Sequence, residues 1–253
     1  MPHEPEDDTA RATHSHALAL SDVVLTLDIR EVLPATPRAR VVRLDLRGAP
    51  FEYQAGQAVL VGSVGGLKRP YSLAAPPEEA RRTGCLELLV GVGENGAPGP
   101  HLTLDPGHLV AVEGPLGSFT FPREPAEQRF VFIAGGTGIA PLRAMLHHAL
   151  STPHEHIGLF YSARSPDEFA YDDEWRRLAR DGRIELRQTV TRSVGERWSG
   201  PRGRIDRAQL ASMVQDSATL CFICGPPAFV ADTAGLLTDV GIPPSRIRVE
   251  QWT

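Results

Sequence analysis

Four short stretches of this chain carry residues suited to holding phosphates and flat rings. The first is AGGTGIAP, residues 134–141. Gly135, Gly136 and Gly138 let a chain turn tightly and expose bare backbone. A helix opening near Pro141 adds free N–H groups and partial positive charge. A Gly-rich turn alone is weak evidence, but a strand before it and a helix after it favour nucleotide binding over a plain connection. The spacing is not GxGxxG, so this is not the usual dinucleotide fingerprint. The second stretch, CGPPAFV (224–230), is another strand-to-helix corner. Cys224 there is either a small core residue or a thiol facing a crevice. The third is YSARS (161–165), whose Ser162 and Arg164, with Arg192 further on, either clamp a phosphate or are solvated loop groups. The fourth is KRPYSL (68–73). Arg69 suits a pyrophosphate, Pro70 is a rigid joint without a donor, Tyr71 suits stacking and Ser72 suits an edge hydrogen bond. GENGAPGPHL (93–102), with Gly96 and Gly99, offers further N–H groups. Taken alone, KRPYSL reads better as a turn with a core aromatic than as a binding strip.

The elements that must position these residues follow two grammars. Residues 1–17 are polar and acidic and are expected to be a disordered tail; His14 and His16 are read as solvated rather than metal-binding. From 18 to 122 short alternating strands are punctuated by Gly and Pro: Val23–Ile29, Val42–Leu46, then 57–63, 70–75, 85–92 and 108–114. That pattern predicts an antiparallel six-stranded Greek-key β-barrel. From 123 to 253 apolar strands at 129–135, 156–163, 184–190, 219–224 and 246–252 alternate with helices at 141–150, 172–180, 206–214 and 228–240. Asp206 and Gln209 form a capping box at the third helix. Continuous apolar strands alternating with helices predict a doubly wound α/β domain with a parallel five-stranded sheet. The joint is FPREPAEQR (121–129). Ligands of such sheets bind at the carboxyl ends of the strands, so the 134–141 and 224–230 corners are expected to line one crevice.

Composition removes several classes. The net charge of −5 gives no basic field for nucleic acid or anionic lipid. No apolar run approaches the ~20 residues that span a bilayer. The N-terminus lacks an apolar signal core, so the cytoplasm is the default location. Cys85, Cys221 and Cys224 are too few for a disulfide scaffold, and the CxxC of TLCFICG lies on a strand that points its thiols to opposite faces. No metal site is expected, and nothing can hold an iron–sulfur cluster.

In order, RPYS, the Gly-rich turn ending at Leu102, GPLGSF (114–119), GGTGIAP and CGPPAFV resemble the ferredoxin–NADP reductase-like flavoprotein superfamily. The resemblance spans roughly 20–253. LKRPYSLA, YSARSPDEF, WSGPRGRI (198–205) and RIRVEQW are most similar to bacterial oxygenase-type NAD(P)H reductases, here without an iron–sulfur domain. One position departs: Gly99 stands where the family often has Ser or Thr, so a hydroxyl contact to the flavin phosphate is lost. The resemblance implies that Arg69, Pro70, Tyr71 and Ser72, with Gly96 and Gly99, hold FAD, with FMN as the alternative. It implies that Gly135, Gly136, Thr137, Gly138 and Pro141 hold the pyridine nucleotide. Cys224, Gly225 and Pro226 would lie beside the nicotinamide, and Glu250 and Trp252 near the isoalloxazine. Ser72, Cys224 and Glu250 are the implied catalytic set. Ser162, Arg164 and Arg192 lean the choice to NADPH over NADH.

The implied activity moves hydride from NAD(P)H to flavin and electrons onward. The expected acceptor is a redox protein: a ferredoxin, flavodoxin, haem protein or oxygenase. Alternatives are a reductase of small diffusible acceptors such as free flavin or quinone, and a non-catalytic flavin-binding subunit. A monomer is expected.

Overall fold

The computed structural model describes residues 24–192 and 198–252. The expected tail, with His14 and His16, lies outside the described residues.

The first half runs β1 (Val24–Thr36), β2 (Ala39–Asp45), β3 (Ala58–Ser63), β4 (Lys68–Ser72), α1 (Pro77–Thr83), β5 (Cys85–Gly91) and β6 (Leu109–Leu116). The strands form one antiparallel sheet in the order β4-β3-β6-β1-β2-β5. A single antiparallel bridge, Leu73 to Leu88, and the Ala74 N–H donating to Glu87 O at 2.8 Å bring its two edges together. This is the barrel the alternation predicts. On β2, Val42 and Leu44 are buried at 1% and 0% exposure while Arg43 between them faces outward. Such side chains gain roughly 1.5–3 kcal/mol each on full burial.

Two expectations need correction. β1 continues past Ile29 to Thr36, because register shifts between Ile29 and Glu31 and between Pro34 and Thr36 break the period-two pattern. The segment between the strands expected at 70–75 and 85–92 holds a helix, α1. Its signals were present: Pro77 in the first turn, Glu78 and Glu79 after it, Arg81 and Arg82 in the last turn, and Gly84 at φ +70° as the left-handed stop.

The second half runs β7 (Arg129–Gly135), α2 (Ile139–Ala149), β8 (His156–Ala163), α3 (Asp172–Arg180), β9 (Glu185–Val190), α4 (Arg207–Met213), β10 (Leu220–Gly225), α5 (Pro227–Asp239) and β11 (Ile247–Gln251). Its sheet is parallel, in the order β11-β10-β7-β8-β9. The Asp206 carboxylate accepts from Gln209 N at 2.8 Å and the Gln209 side chain accepts from Asp206 N at 3.0 Å, so the capping box forms. Alternate strand residues feed two faces. Phe130, Phe132 and Phe222 pack under α2 and α3, while Val131, Ile133 and Ile223 pack under α4 and α5. Cys221 and Cys224 accordingly sit in opposite clusters.

The two halves share a core. Ala55 and Ala74 from the barrel, and Phe119 and Phe121 from the connection, join the cluster under α2. The Phe121 ring lies 4.9 Å from Phe130 and 5.7 Å from Phe222. No described helix is long and apolar enough to cross a membrane.

Candidate functional site

Strand order reverses between β7 and β10, the central pair of the parallel sheet. Their helices leave on opposite faces, so a crevice opens at their carboxyl ends. The connection from β7 is a 3-10 turn, Gly136–Gly138, that runs directly into α2. Its glycines have three different reasons. Gly136 is exposed at φ +57°, a left-handed conformation, with open space around it. Gly138 is buried, and a Cβ there would lie 2.5 Å from the Cys224 carbonyl carbon and 2.8 Å from Gly225 N. A Cβ on Gly135 would meet the Phe229 ring at 2.9 Å. Only Gly136 and Thr137 therefore present exposed backbone to a ligand; Gly135 and Gly138 are needed for packing. Tyr161 fixes the turn: its hydroxyl donates to Gly136 O at 3.0 Å and accepts from Ala170 N at 3.1 Å.

The cleft encloses about 790 Å³. Its floor and walls include Gly135, Gly136, Thr137, Gly138, Ser162, Arg164, Arg192, Gly225, Pro226 and Trp252. Ten predicted residues from five chain segments thus converge. Arg192 N donates to Arg164 O at 3.0 Å, which sets the two side by side. Neither guanidinium meets a carboxylate among the described residues. By contrast Arg204 is paired with Asp232 at 2.9 Å. The barrel closes the opposite wall with Thr36, Arg38 and Ala39, and Arg38 forms an ion pair with Glu168 across the mouth.

The closing strand brings Glu250 beside Cys224 in parallel register. The Trp252 indole N–H donates to Glu250 Oε2 at 3.1 Å, and Trp252 N donates to Gly225 O at 3.3 Å. Burial pushes the Glu250 carboxyl up to about 7, against the lowering effect of the Trp252 bond. Burial, and then the Glu250 charge, hold the Cys224 thiol well above its ordinary range. The expectation that Cys224 faces the crevice is corrected: it has no exposed surface and does not line the cleft. Its side chain takes the α2 face of a central strand, where Trp252 packs against the same cluster. Pro141 is likewise buried within α2 and off the cleft wall.

Arg69, Pro70, Tyr71, Ser72, Gly96 and Gly99 lie outside this cleft. Arg69, Pro70, Tyr71 and Ser72 lie on β4, an edge of the sheet order, and Gly96 and Gly99 lie in the loop between β5 and β6. Period-two alternation puts Arg69 and Tyr71 on one face and Ser72 on the other. Ser72 is 7% exposed and Tyr71 half-buried. The Tyr71 hydroxyl hydrogen-bonds His101 Nε2 at 2.6 Å, and the two rings lie 6.0 Å apart at 17°. Burial lowers the His101 pKa, and the nearby Arg69 charge lowers it further. Among the described residues, His101 Nδ1 is buried without a partner. Arg69 is exposed and meets no carboxylate among the described residues, whereas its neighbour Lys68 is held by Glu113 at 2.8 Å. Gly96 and Gly99 take φ +76° and +113°, Gly96 facing Arg40 and Gly99 the His101 ring. Arg69 and Tyr71, with the His101 that braces Tyr71, thus share one face of an edge strand, and Gly99 lies beside His101.

Sequence reasoning missed Tyr161, His101, Phe229 and Arg143. Tyr161 and His101 act on backbone and ring neighbours that only the fold reveals. Arg143 had a readable signal, a cation among Leu142, Met145 and Leu146 on a helix that is apolar almost all round. No group of three or more possible metal ligands occurs among the described residues.

Comparison with known proteins agrees with this architecture. A family model of the oxidoreductase NAD-binding domain matches residues 132–235. Ferredoxin–NADP reductase B of Sorangium cellulosum is 34% identical over 236 residues, covering 87% of this chain and 94% of that protein. The reductase subunit of stachydrine N-demethylase of Rhizobium meliloti is 30% identical over 237 residues, covering 88% and 66%. Among solved structures, the Amycolatopsis cytochrome P450 reductase GcoB superposes with a TM-score of 0.78 at 27% identity, over 90% of this chain and 69% of that one.

Proposed function

Because the chain belongs to the ferredoxin–NADP reductase-like flavoproteins and is an FAD-dependent NAD(P)H oxidoreductase, we propose that it draws electrons from NADPH and delivers them to a redox protein. The observation that carries the reading is the pairing of two sites. A cationic nucleotide cleft lies at the switch point, and a flavin-type strip on β4 passes within two residues, Ser72 to Ala74, into the core shared with α2. Relatives named for ferredoxin and for a demethylase support a protein acceptor.

FAD fits the strip. Arg69 would take the pyrophosphate, and the Gly96–Gly99 loop would add N–H groups to it. Tyr71, braced by His101, would carry the ring, and Ser72 would hydrogen-bond its edge. When bound, FAD accepts the hydride that leaves C4 of the dihydronicotinamide, which departs as NAD(P)⁺, and passes two electrons on singly. The chain's own work is placement and proton control. Gly136 and Thr137 would bind the nucleotide's phosphates at the start of α2. Ser162, Arg164 and Arg192 would clamp a 2′-phosphate, which is the reason for NADPH. Trp252 covers Cys224, so a nicotinamide resting beside Cys224, Gly225 and Pro226 requires the indole to move. Glu250, protonating near neutrality, would hold a proton close to the ring.

The test is the visible spectrum of the purified protein, followed under anaerobic conditions on adding NADPH and then NADH. Flavin bands bleached within seconds, faster by NADPH, are expected. A protein that takes up no flavin, or a bound flavin that neither nucleotide bleaches, refutes the proposal. Capture of a redox protein by the immobilised chain, followed by its reduction with NADPH, tests the acceptor. Turnover of free flavin or quinone without any such partner would favour the diffusible-acceptor reading.

A further inference from the structure

Arg143 is a buried cation that nothing in the hydride chemistry requires. It rises from α2, four residues beyond Ile139, yet the residue is 6% exposed and its guanidinium reaches the outer face of the barrel, where Glu87 lies between the inward-facing Leu86 and Leu88. Nη1 donates to Ala74 O at 2.9 Å and lies 3.2 Å from Glu87 Oε1 and 3.6 Å from Glu79 Oε2. Ala74 is two residues past Ser72, Glu87 is on β5 and Glu79 is on α1. The other edge serves the nucleotide half: Nε donates to both Glu174 oxygens at 3.1 Å, and Nη2 donates to Oε2 at 3.1 Å. The flat face stacks on the Tyr171 ring, 4.7 Å from its centroid.

Tyr171 supplies an independent sign. It sits at φ +60°, a strained conformation for a bulky aromatic that persists only where the surroundings hold it. That conformation places the ring under Arg143 and lets the hydroxyl donate to Glu87 Oε1 at 3.2 Å. Glu87 also receives Arg43 Nε at 2.9 Å, and His147 bonds Glu174. A buried ionic network of this kind adds little stability over apolar packing of the same volume. Its directional bonds fix a geometry. Around it the interface is mostly apolar, with Ala55, Ala74, Phe119 and Met145, and the other ion pairs that cross it, His148 with Glu78 at 2.9 Å and Arg38 with Glu168, are more exposed.

We infer that Arg143 is a positioning residue that sets the spacing between the β4 strip and the nucleotide corner. This rests on the function proposed above. The Arg143 bond to Ala74 links the two sites: Ser72 leads by chain to the Ala74 carbonyl, which Arg143 grips from the helix that follows Gly136–Gly138. Hydride transfer needs the reacting atoms about 3–3.5 Å apart, and an error of about 1 Å costs on the order of 10²-fold.

The test is Arg143→Met, read in two ways. In stopped-flow reduction of the flavin-loaded protein, the limiting rate is expected to fall about 30–100-fold, with nucleotide Kd within threefold and flavin content unchanged. In the apoprotein, the Leu73 and Ala74 amides, which donate to Gln57 O and Glu87 O, are expected to exchange with deuterium faster. Reduction at the wild-type rate, or unchanged exchange, overturns the inference, as does a loss confined to nucleotide affinity. If R143M does not fold, Glu87→Gln keeps the Glu174 contacts and should show the same split at about tenfold; a wild-type rate there also overturns it. Wild-type protein that binds no flavin would instead refute the functional reading, and the exchange experiment would still decide the role of Arg143.

Discussion

Replacing Glu250 by Gln should change how stability depends on pH, and the sign follows from its surroundings. The carboxyl is half-buried beside Cys224 and receives one hydrogen bond, from Trp252. Burial pushes it up to about 7 from an ordinary 4.5. Between those values the folded protein keeps a proton that the unfolded chain has released. Stability therefore falls as pH rises through this window, and the full penalty applies above it. The interval corresponds to about 3 kcal/mol, which partial solvent exposure lowers to about 2 kcal/mol. Gln carries no charge to bury. E250Q should match the wild type near pH 4.5 and exceed it by about 2 kcal/mol at pH 8, or about 4–8 °C in Tm for a chain of this size. Thermal unfolding of both apoproteins at half-unit steps from pH 4.5 to 8.5 measures the difference directly, since other titrating groups cancel. A difference that stays constant across that range would refute the reasoning. Glu250 would then be an ordinary ionised carboxylate, and its place as a neutral-pH proton holder would fall with it.

Gly138→Ala should be the most damaging glycine change in the cleft. Its Cβ would clash with the Cys224 carbonyl, which cannot move aside as a flexible side chain could, at a cost of roughly 1–3 kcal/mol. Calorimetry and flavin-reduction rate should both register it, and wild-type values in both would contradict the packing argument. Arg164→Ala should raise KM for NADPH at least tenfold and for NADH less than threefold; equal effects would remove Arg164 from the 2′-phosphate. Arg69→Ala should weaken FAD binding by about tenfold or more, as expected for losing a charge-assisted bond of roughly 1.5–3 kcal/mol. Fluorescence titration of the apoprotein decides it, and an unchanged Kd would dissociate Arg69 from the pyrophosphate.

The division into a barrel and a doubly wound sheet was legible because both patterns are local. Val42, Arg43 and Leu44 alternate on β2, and Phe130 to Ala134 run apolar without a break on β7. The nucleotide corner was legible because strand, glycine turn and helix are contiguous in the chain. What was lost depended on distance. Register shifts in β1 hid its second half from a period-two reading. That Cys224 lies under Trp252 could not be read from CGPPAFV, since the covering ring arrives 28 residues later on the last strand. The glycines of GGTGIAP look alike in sequence, yet Gly136 needs a left-handed turn and Gly138 needs room for a neighbouring strand. Arg143 reads as one polar residue in an apolar helix until the fold brings Glu79, Glu87 and Glu174 to it.

The aromatic rings of the connecting segment bear on how separable the two halves are. Phe119 precedes the joint and Phe121 opens it, yet both sit inside the core beneath α2, with Phe121 against Phe130, Phe132 and Phe222. A fragment beginning at Arg129 would expose the socket those rings fill, and the complementary fragment would carry them bare into water. A chain nicked between Arg123 and Gln128 should therefore stay together as a two-piece complex. An autonomous nucleotide module would have to begin upstream of Phe119, within what the sequence grammar assigns to the barrel.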